Sequence, residues 1–262
     1  MLVDSHCHLD YLEDEEALET VVARARAAGV GTLVTICTRL SEFDRVRAIA
    51  SRFERVYCSV GVHPHDAEAE GQKDPARLIE LAGDDKVIGI GETGLDYYYD
   101  NSPRAAQRES FRSHIKAARA SGLPLIVHSR DADADTGRIL EEEAGEGAYT
   151  GVIHCFTAGR ALAEAALGLG LYISLSGVVT FKKAEALRAI VRDLPLDRLL
   201  VETDSPYLAP VPKRGRRNEP AYVVHTAACL ADLLGLPAEE LARITSENFF
   251  RLFAKAAPAT DI

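Results

Sequence analysis

The chain has 262 residues, 47% of them hydrophobic, and a formal net charge of −10. That length and apolar content allow a large buried core, in two small domains or in one barrel or sandwich. The acidic balance excludes a broad basic surface that wraps nucleic acid by neutralising many phosphates, but not a polyanionic substrate held where metals supply the positive charge.

The chain opens on a short apolar stretch, Leu2 and Val3, that leads into Asp4-Ser5-His6-Cys7-His8. On a strand, alternation puts His6 and His8 on one face and Cys7 on the other. Paired imidazoles are costly to bury for packing alone, and each neutral ring offers a lone pair to a divalent metal. Helical spacing of Leu18, Val21, Val22 and Ala25 predicts a helix over 15–28, ended by Gly29. Residues 31–37 (GTLVTIC) read as a second strand. Ser41 is the expected N-cap of a helix running to Phe53. A third strand over 56–62 ends in Gly-Val-His-Pro-His, and Asp74-Pro75 opens another helix in cap-then-proline order. Residues 86–92 (KVIGIGE) are the fourth strand.

Further along, a helix is predicted over 103–120, a strand over 123–128 (LPLIVH) and a helix over 134–143. Then come a strand over 149–154 (YTGVIH), a helix over 161–169, a strand over 171–175 and a helix near 184–192. The eighth strand is 199–202 (LLVE), followed by helices near 221–234 and 238–253. The strands are mostly continuous apolar runs, as in parallel sheets buried on both faces. Eight βα units in roughly 250 residues predict a (β/α)8 TIM barrel, an α/β fold. The rival is an open doubly wound sheet, which no GxGxxG after the first strand supports. No repeat, linker or low-complexity segment divides the chain, so one domain over residues 1–262 is expected.

No apolar run is long enough to span a bilayer, and the N-terminus lacks the basic flank and apolar core of a signal sequence. The expected location is the cytoplasm, without a membrane partner. Cys7, Cys37, Cys58, Cys155 and Cys229 are scattered and form no CxxC pair. They read as reduced core thiols rather than a disulfide frame or a zinc knuckle, with Cys7 and Cys155 aimed outward toward the helices.

In a barrel of this kind reactive groups sit at the C-terminal ends of strands. Those ends carry His6 and His8, His63, Glu92, His128, His154 and Asp204. Barrel closure would bring them to one rim. His6, His8, His128 and His154 with Glu92 and Asp204 are too many donors for one tetrahedral zinc. They suit two divalent ions that share Glu92 as a bridge, and oxygen with imidazole donors fits magnesium, manganese or zinc.

Longer segments carry a resemblance. They are DSHCHLD at 4–10, GVHPH at 61–65, GETGLDYYY at 91–99, HSRDA at 128–132, HCFTAG at 154–159, ETDSPYLAP at 202–210 and RNEP at 217–220. With them the chain resembles the TatD-type metal-dependent deoxyribonucleases, within the wider amidohydrolase-like barrels. That wider group often has a carboxylated lysine on strand four, where this chain has Glu92. The resemblance implies one metal on His6, His8, Glu92 and Asp204, and a second on Glu92, His128 and His154. It implies hydrolysis of DNA phosphodiesters by 3′-to-5′ exonucleolysis; the expected substrate is single-stranded DNA or 3′ ends, and the expected state a monomer.

Two ions about 3.5–4 Å apart would activate a shared water, and Asp204 would orient it and accept its proton. Glu92 and Asp204 are therefore the expected catalytic residues. Phosphate contacts fall to His63, His65 and Arg130. Among Tyr97, Tyr98 and Tyr99, at most two can face a base, with a core role for the third. The basic run Lys213-Arg214-Gly215-Arg216-Arg217 could touch a nucleic acid backbone or be a solvated loop. Asp96 could order the loop after strand four. Two other functions stay open: a metal-dependent deacylase or amidohydrolase, for example of D-aminoacyl-tRNA, and a metal-binding scaffold without catalysis.

Overall fold

Eight parallel strands form one sheet in chain order. They are β1 (Leu2–Cys7), β2 (Val30–Thr35), β3 (Val56–Val60), β4 (Val87–Asp96), β5 (Leu125–Arg130), β6 (Gly151–Ile153), β7 (Tyr172–Leu175) and β8 (Leu199–Val201). The computed structural model describes residues 1–13, 16–71 and 73–256. The first and last strands meet just past the end of β8. There Asp204 N–H donates to His6 C=O (2.9 Å) and His8 N–H donates to Ser205 C=O (2.8 Å). Beneath that seam the buried Asp4 carboxyl accepts the Thr203 N–H at 2.8 Å and pairs with its hydroxyl at 2.6 Å. An open doubly wound sheet would leave two free edges; this sheet curls into a nearly closed (β/α)8 barrel, as expected.

One apolar cluster takes a residue from every strand: Val3, Val34, Tyr57, Ile88, Ile126, Val152, Tyr172 and Leu200. Val3, Tyr57, Ile88, Ile126 and Tyr172 sit near the starts of their strands, and Phe249 and Leu252 of the last helix, with Phe253 just after it, close the cluster. This plugs the barrel at its N-terminal end and leaves the opposite mouth for polar groups. A second, larger cluster lies between the sheet and the surrounding helices.

Those helices are α1 (Leu9–Glu13), α2 (Leu18–Ala27), α3 (Phe43–Ser51), α4 (Ala67–Glu70), α5 (Ala76–Leu81) and α6 (Arg104–Ser121). They continue with α7 (Asp133–Gly145), α8 (Arg160–Gly168), α9 (Glu185–Val191), α10 (Val223–Leu234) and α11 (Ala238–Leu252). The expected start of the first helix at Glu15 lies outside the described residues. Within them the chain turns helical earlier, in α1 directly after His8, and again at Leu18. Ser41 is not an N-cap: it sits in a 3-10 turn and its hydroxyl donates to the Glu70 carboxylate at 2.6 Å. No single described helix is long and apolar enough to cross a membrane.

The fourth strand departs most from expectation. It runs four residues past Glu92, to Asp96, and stays paired with β5 up to Asp96 opposite Arg130. Gly91 and Gly94 make this possible, with φ of 138° and 137°. A Cβ on Gly94 would lie 2.0 Å from the His128 carbonyl oxygen. Only glycine lets the two backbones approach so closely. Glycines in GETGLD look like loop punctuation in a sequence, whereas here they lengthen a strand.

His114 of α6 is fully buried and ties that helix to the segment after β3. Its Nε2 accepts the Val62 N–H at 2.9 Å, so Nδ1 carries the proton and donates to Ser110 C=O at 2.7 Å. Burial pushes its pKa down from 6.5 to about 4. Between those values the unfolded chain binds the extra proton, so this contribution is present above pH 6.5 and is lost as pH falls toward 4. The gap amounts to about 3 kcal/mol. Denaturant unfolding of the parent and of His114→Gln at pH 7 and pH 4 should show the parent's advantage shrinking by that order. An unchanged difference would mean the ring is charged or water-exposed in the folded state.

Candidate metal centre

Six imidazoles and four carboxylates gather at the C-terminal mouth of the barrel. Glu92, buried on β4, stands in the middle and turns its two oxygens to different partners. Its Oε2 faces His6 Nε2 at 3.4 Å. Its Oε1 faces His154 Nε2 at 2.7 Å, His128 Nδ1 at 3.1 Å and His63 Nε2 at 3.4 Å. Asp204 Oδ1 lies 3.4 Å from His8 Nε2 and 3.7 Å from His6 Nε2. The His6 and His154 rings stack, with centroids 3.9 Å apart. The six side chains expected to converge thus form one connected cluster, in which Asp204 links His8 to His6 and Glu92 links His6 to His128 and His154.

The donor set fits metal binding. His6 is buried, yet neither of its ring nitrogens has a hydrogen-bond partner, and His8 Nδ1 also lacks one. An unsatisfied buried nitrogen costs about 1–3 kcal/mol, which a cation at its lone pair would remove. Donor atoms of His6, His8 and Glu92 lie within 4.8 Å of one another, as do those of His63, Glu92 and His128 and those of His6, His154 and Glu202. His63, expected to meet phosphate, therefore stands in the donor cluster itself.

Charge in the cluster follows from burial and from facing groups. Burial pulls His63 well below the usual imidazole range; burial, with His154 beside it, also lowers His6. Both rings are thus neutral and keep a lone pair. For Glu92, burial works to raise the pKa, but the imidazoles of His154, His63 and His128 outweigh it and hold the carboxyl well below its ordinary value. His154 resists the effect of burial because carboxylates face both its nitrogens, Glu92 on one side and Glu202 on the other, and it is pushed well above 6.5.

A family described as TatD related DNase matches residues 3–254. The chain belongs to the TatD family. Metal-dependent hydrolases of that family resemble it along nearly their whole length. The uncharacterized metal-dependent hydrolase YcfH of Escherichia coli K12 is 48% identical over 96% of this chain and 95% of its own. The protein named 3'-5' ssDNA/RNA exonuclease TatD of Cronobacter sakazakii is 39% identical over 92% of this chain and 94% of its own. Among solved structures, the TatD homolog YjjV of Escherichia coli K12 superposes with a TM-score of 0.84 at 30% identity, covering 97% of this chain and 98% of that one.

Two acidic residues of this TatD-family site had no expected role beside the histidines: Glu202, and Asp96, which was expected only to order the loop after strand four and does so. Asp96, at the very end of β4, sets its Oδ2 2.9 Å from His65 Nε2 and 3.3 Å from His128 Nε2. Its Oδ1 accepts the N–H groups of Tyr98 and Tyr99. Held at Nε2, His128 presents Nδ1 to Glu92. Glu202 is fully buried; its Oε1 accepts the Cys155 N–H at 2.7 Å and lies 3.3 Å from His154 Nδ1. It orients His154 as Asp96 orients His128. The spacing of Glu202 two residues before Asp204 was a usable signal; nothing local marked the contact of Asp96 with His65 and His128.

Around the cluster opens a cleft of about 980 Å³, lined among others by Tyr11, His65, Tyr99, Arg130, Cys155 and Tyr207. Arg130 packs its guanidinium against Tyr98 (4.4 Å) and Tyr99 (4.8 Å). Tyr97 turns away and donates its hydroxyl to Asp135 at 2.7 Å. Cys155 does not point outward as expected. β6 ends at Ile153, Cys155 takes φ of 43°, and strand alternation no longer governs it. The basic run after β8 supplies no cleft-lining residue. Within it Arg217 donates to Tyr11 C=O, Arg214 lies over Phe181 and Lys213 over Tyr222.

Proposed function

We propose that this TatD-family hydrolase cleaves DNA phosphodiesters, trimming a strand from its 3′ end, with the whole chain serving as one domain. The observation that carries the reading is the posture of Glu92, one oxygen toward His6 and the other toward His128 and His154. That is the arrangement of a carboxylate shared between two cations. His6, His8, Glu92 and Asp204 would hold one divalent ion, and Glu92, His128 and His154 the other, with His63 beside the second. Bound there, magnesium, manganese or zinc would lower the pKa of a water and neutralise charge on the phosphate.

The chain's own groups do the rest. Asp204 reaches the cleft from the end of β8 and stays ionised at neutral pH: burial would raise its pKa, but His8 and His6 hold it below the ordinary value. It is the group able to take a proton from an attacking water. Arg130 and His65, which also line the cleft, would meet phosphate oxygens. The name of the Cronobacter relative supports the same direction of cutting.

The test is to incubate metal-loaded protein with 5′-labelled single-stranded DNA and, separately, with a D-aminoacyl-tRNA. Stepwise shortening of the DNA from its 3′ end is the expected result. Deacylation of the tRNA with the DNA left intact would replace the proposal by the deacylase reading.

A further inference from the structure

Where the affinity for a strand would come from is not obvious in a chain with a net charge of −10. The cleft lining contains two arginines and no lysine. Of the two, Arg39 is paired with Asp66 at 2.9 Å. Arg130 has no carboxylate partner among the described residues and lies on two tyrosine rings instead. Phosphate neutralisation by the chain is therefore slight, and some other surface must hold the substrate.

The exposed apolar surface answers this. Among the described residues only six large hydrophobic side chains are exposed, and three are tyrosines at this mouth: Tyr98 (58%), Tyr99 (53%) and Tyr207 (54%). Tyr207 follows β8 by six residues and stands edge-on to Tyr11 (6.4 Å between centroids) and to His8 (6.2 Å). Tyr11 in turn stacks on His8 at 5.1 Å, and its hydroxyl bonds with that of Thr38 at 3.1 Å. Across the cleft, Tyr99 is braced by Arg130, by Tyr98 edge-on at 4.8 Å and by His65 edge-on at 5.4 Å. Each ring is fixed by its neighbours yet half open to solvent, a poor arrangement for a core residue and a good one for a stacking surface.

The two platforms are not neighbours. Tyr11 and Tyr207 follow β1 and β8, whereas Tyr99 and Arg130 come from the ends of β4 and β5. With eight strands in sequential order, those pairs lie half a turn apart around the mouth. Glu92 and its histidines lie between them.

We infer that Tyr207 and Tyr99 are base-stacking platforms on either side of the scissile phosphate, so that the enzyme grips unpaired nucleobases flanking the bond it cuts. This rests on the nuclease reading and deepens it. A paired duplex end exposes only the outer face of its terminal base pair and cannot offer separate bases to two rings half a turn apart. An unpaired strand can splay two bases outward while its backbone crosses the Glu92 cluster. Arg130, stacked behind Tyr99, adds a positive charge and a planar face to that platform.

The experiment measures binding of a fluorescent phosphorothioate oligothymidylate to the metal-loaded protein, beside the same strand with abasic sites at its last two 3′ positions. Base–aromatic stacking predicts that the base-bearing strand binds tighter by about 5- to 150-fold for each stacked base. Tyr207→Ala and Tyr99→Ala should each reduce that ratio, and the double variant should bring it close to one. Tyr207→Phe and Tyr99→Phe keep the ring and should keep the ratio. A parent that binds both strands equally, or alanine variants that retain the parent's ratio while still cutting DNA, would overturn the inference and leave the nuclease reading standing. Failure of the parent to bind or cut any oligonucleotide would overturn both.

Discussion

Glu92→Gln should leave the barrel folded and strip it of most of its capacity for divalent metal. The carboxylate meets imidazole nitrogens with both oxygens, at 2.7–3.4 Å. An amide keeps one oxygen and replaces the other with an NH2 group, which aims hydrogens at nitrogens that must offer lone pairs. Whichever way the amide turns, one half of the cluster loses its acceptor, so both proposed ions suffer together. Groups that merely orient ligands are commonly worth 10–100-fold in metal affinity. A shared ligand should be worth at least about 100-fold, and turnover should fall with occupancy. Metal counting after dialysis, with a parallel thermal melt to confirm folding, is the measurement. Two tightly held ions and normal turnover in the variant would remove Glu92 from the bridging position.

The fold was legible because its signal is repeated. Runs such as GTLVTIC, KVIGIGE and LPLIVH are continuous and apolar, as strands buried on both faces must be, and the helices between them show one apolar side. Boundaries were less legible wherever a polar or glycine-bearing stretch did structural work. The fourth strand was expected to stop at Glu92, although Gly94 brings β4 against β5 beyond it. Ser41 read as a cap although Glu70, distant in the chain, takes its hydroxyl. Such partners are set by tertiary packing, which local spacing does not report.

The same division runs through the site. His6, His8, Glu92, His128, His154 and Asp204 stand out because each ends an apolar run, and a barrel gathers strand ends. Asp96 and Glu202 act one step removed, on the far nitrogens of His128 and His154, and their significance depends on which way those rings face. Ring orientation is absent from a sequence. Of the three consecutive tyrosines, the reading that no more than two face the cleft side matches the structure: Tyr97 is tied to Asp135 while Tyr98 and Tyr99 are exposed. Tyr207 went unremarked, because a lone tyrosine after ETDSP carries no pattern of its own.

Asp204→Asn isolates the proposed chemistry from the architecture. Asp204 has φ of 55°, the left-handed region that asparagine tolerates better than almost any residue but glycine, so the turn after β8 should survive. Its backbone N–H bond to His6 C=O, which helps to close the barrel, does not involve the side chain. The histidines around Glu92 Oε1 make no contact with the Asp204 carboxylate at ion-pair distance, so their metal should remain. What changes is a single function. A carboxylate held ionised by His8 and His6 can accept a proton from water at neutral pH; an amide cannot. Loss of a general base commonly costs about 10²–10⁴-fold, and the missing negative charge beside His6 and His8 weakens metal binding there as well. The expected result is a fall in kcat of at least about 100-fold on single-stranded DNA, with much smaller change in the affinity for a phosphorothioate strand, since the Tyr207 and Tyr99 platforms and Arg130 are untouched. Turnover within a few-fold of the parent would mean that Asp204 takes no proton in the reaction, and the base would have to be sought among the remaining residues of the mouth.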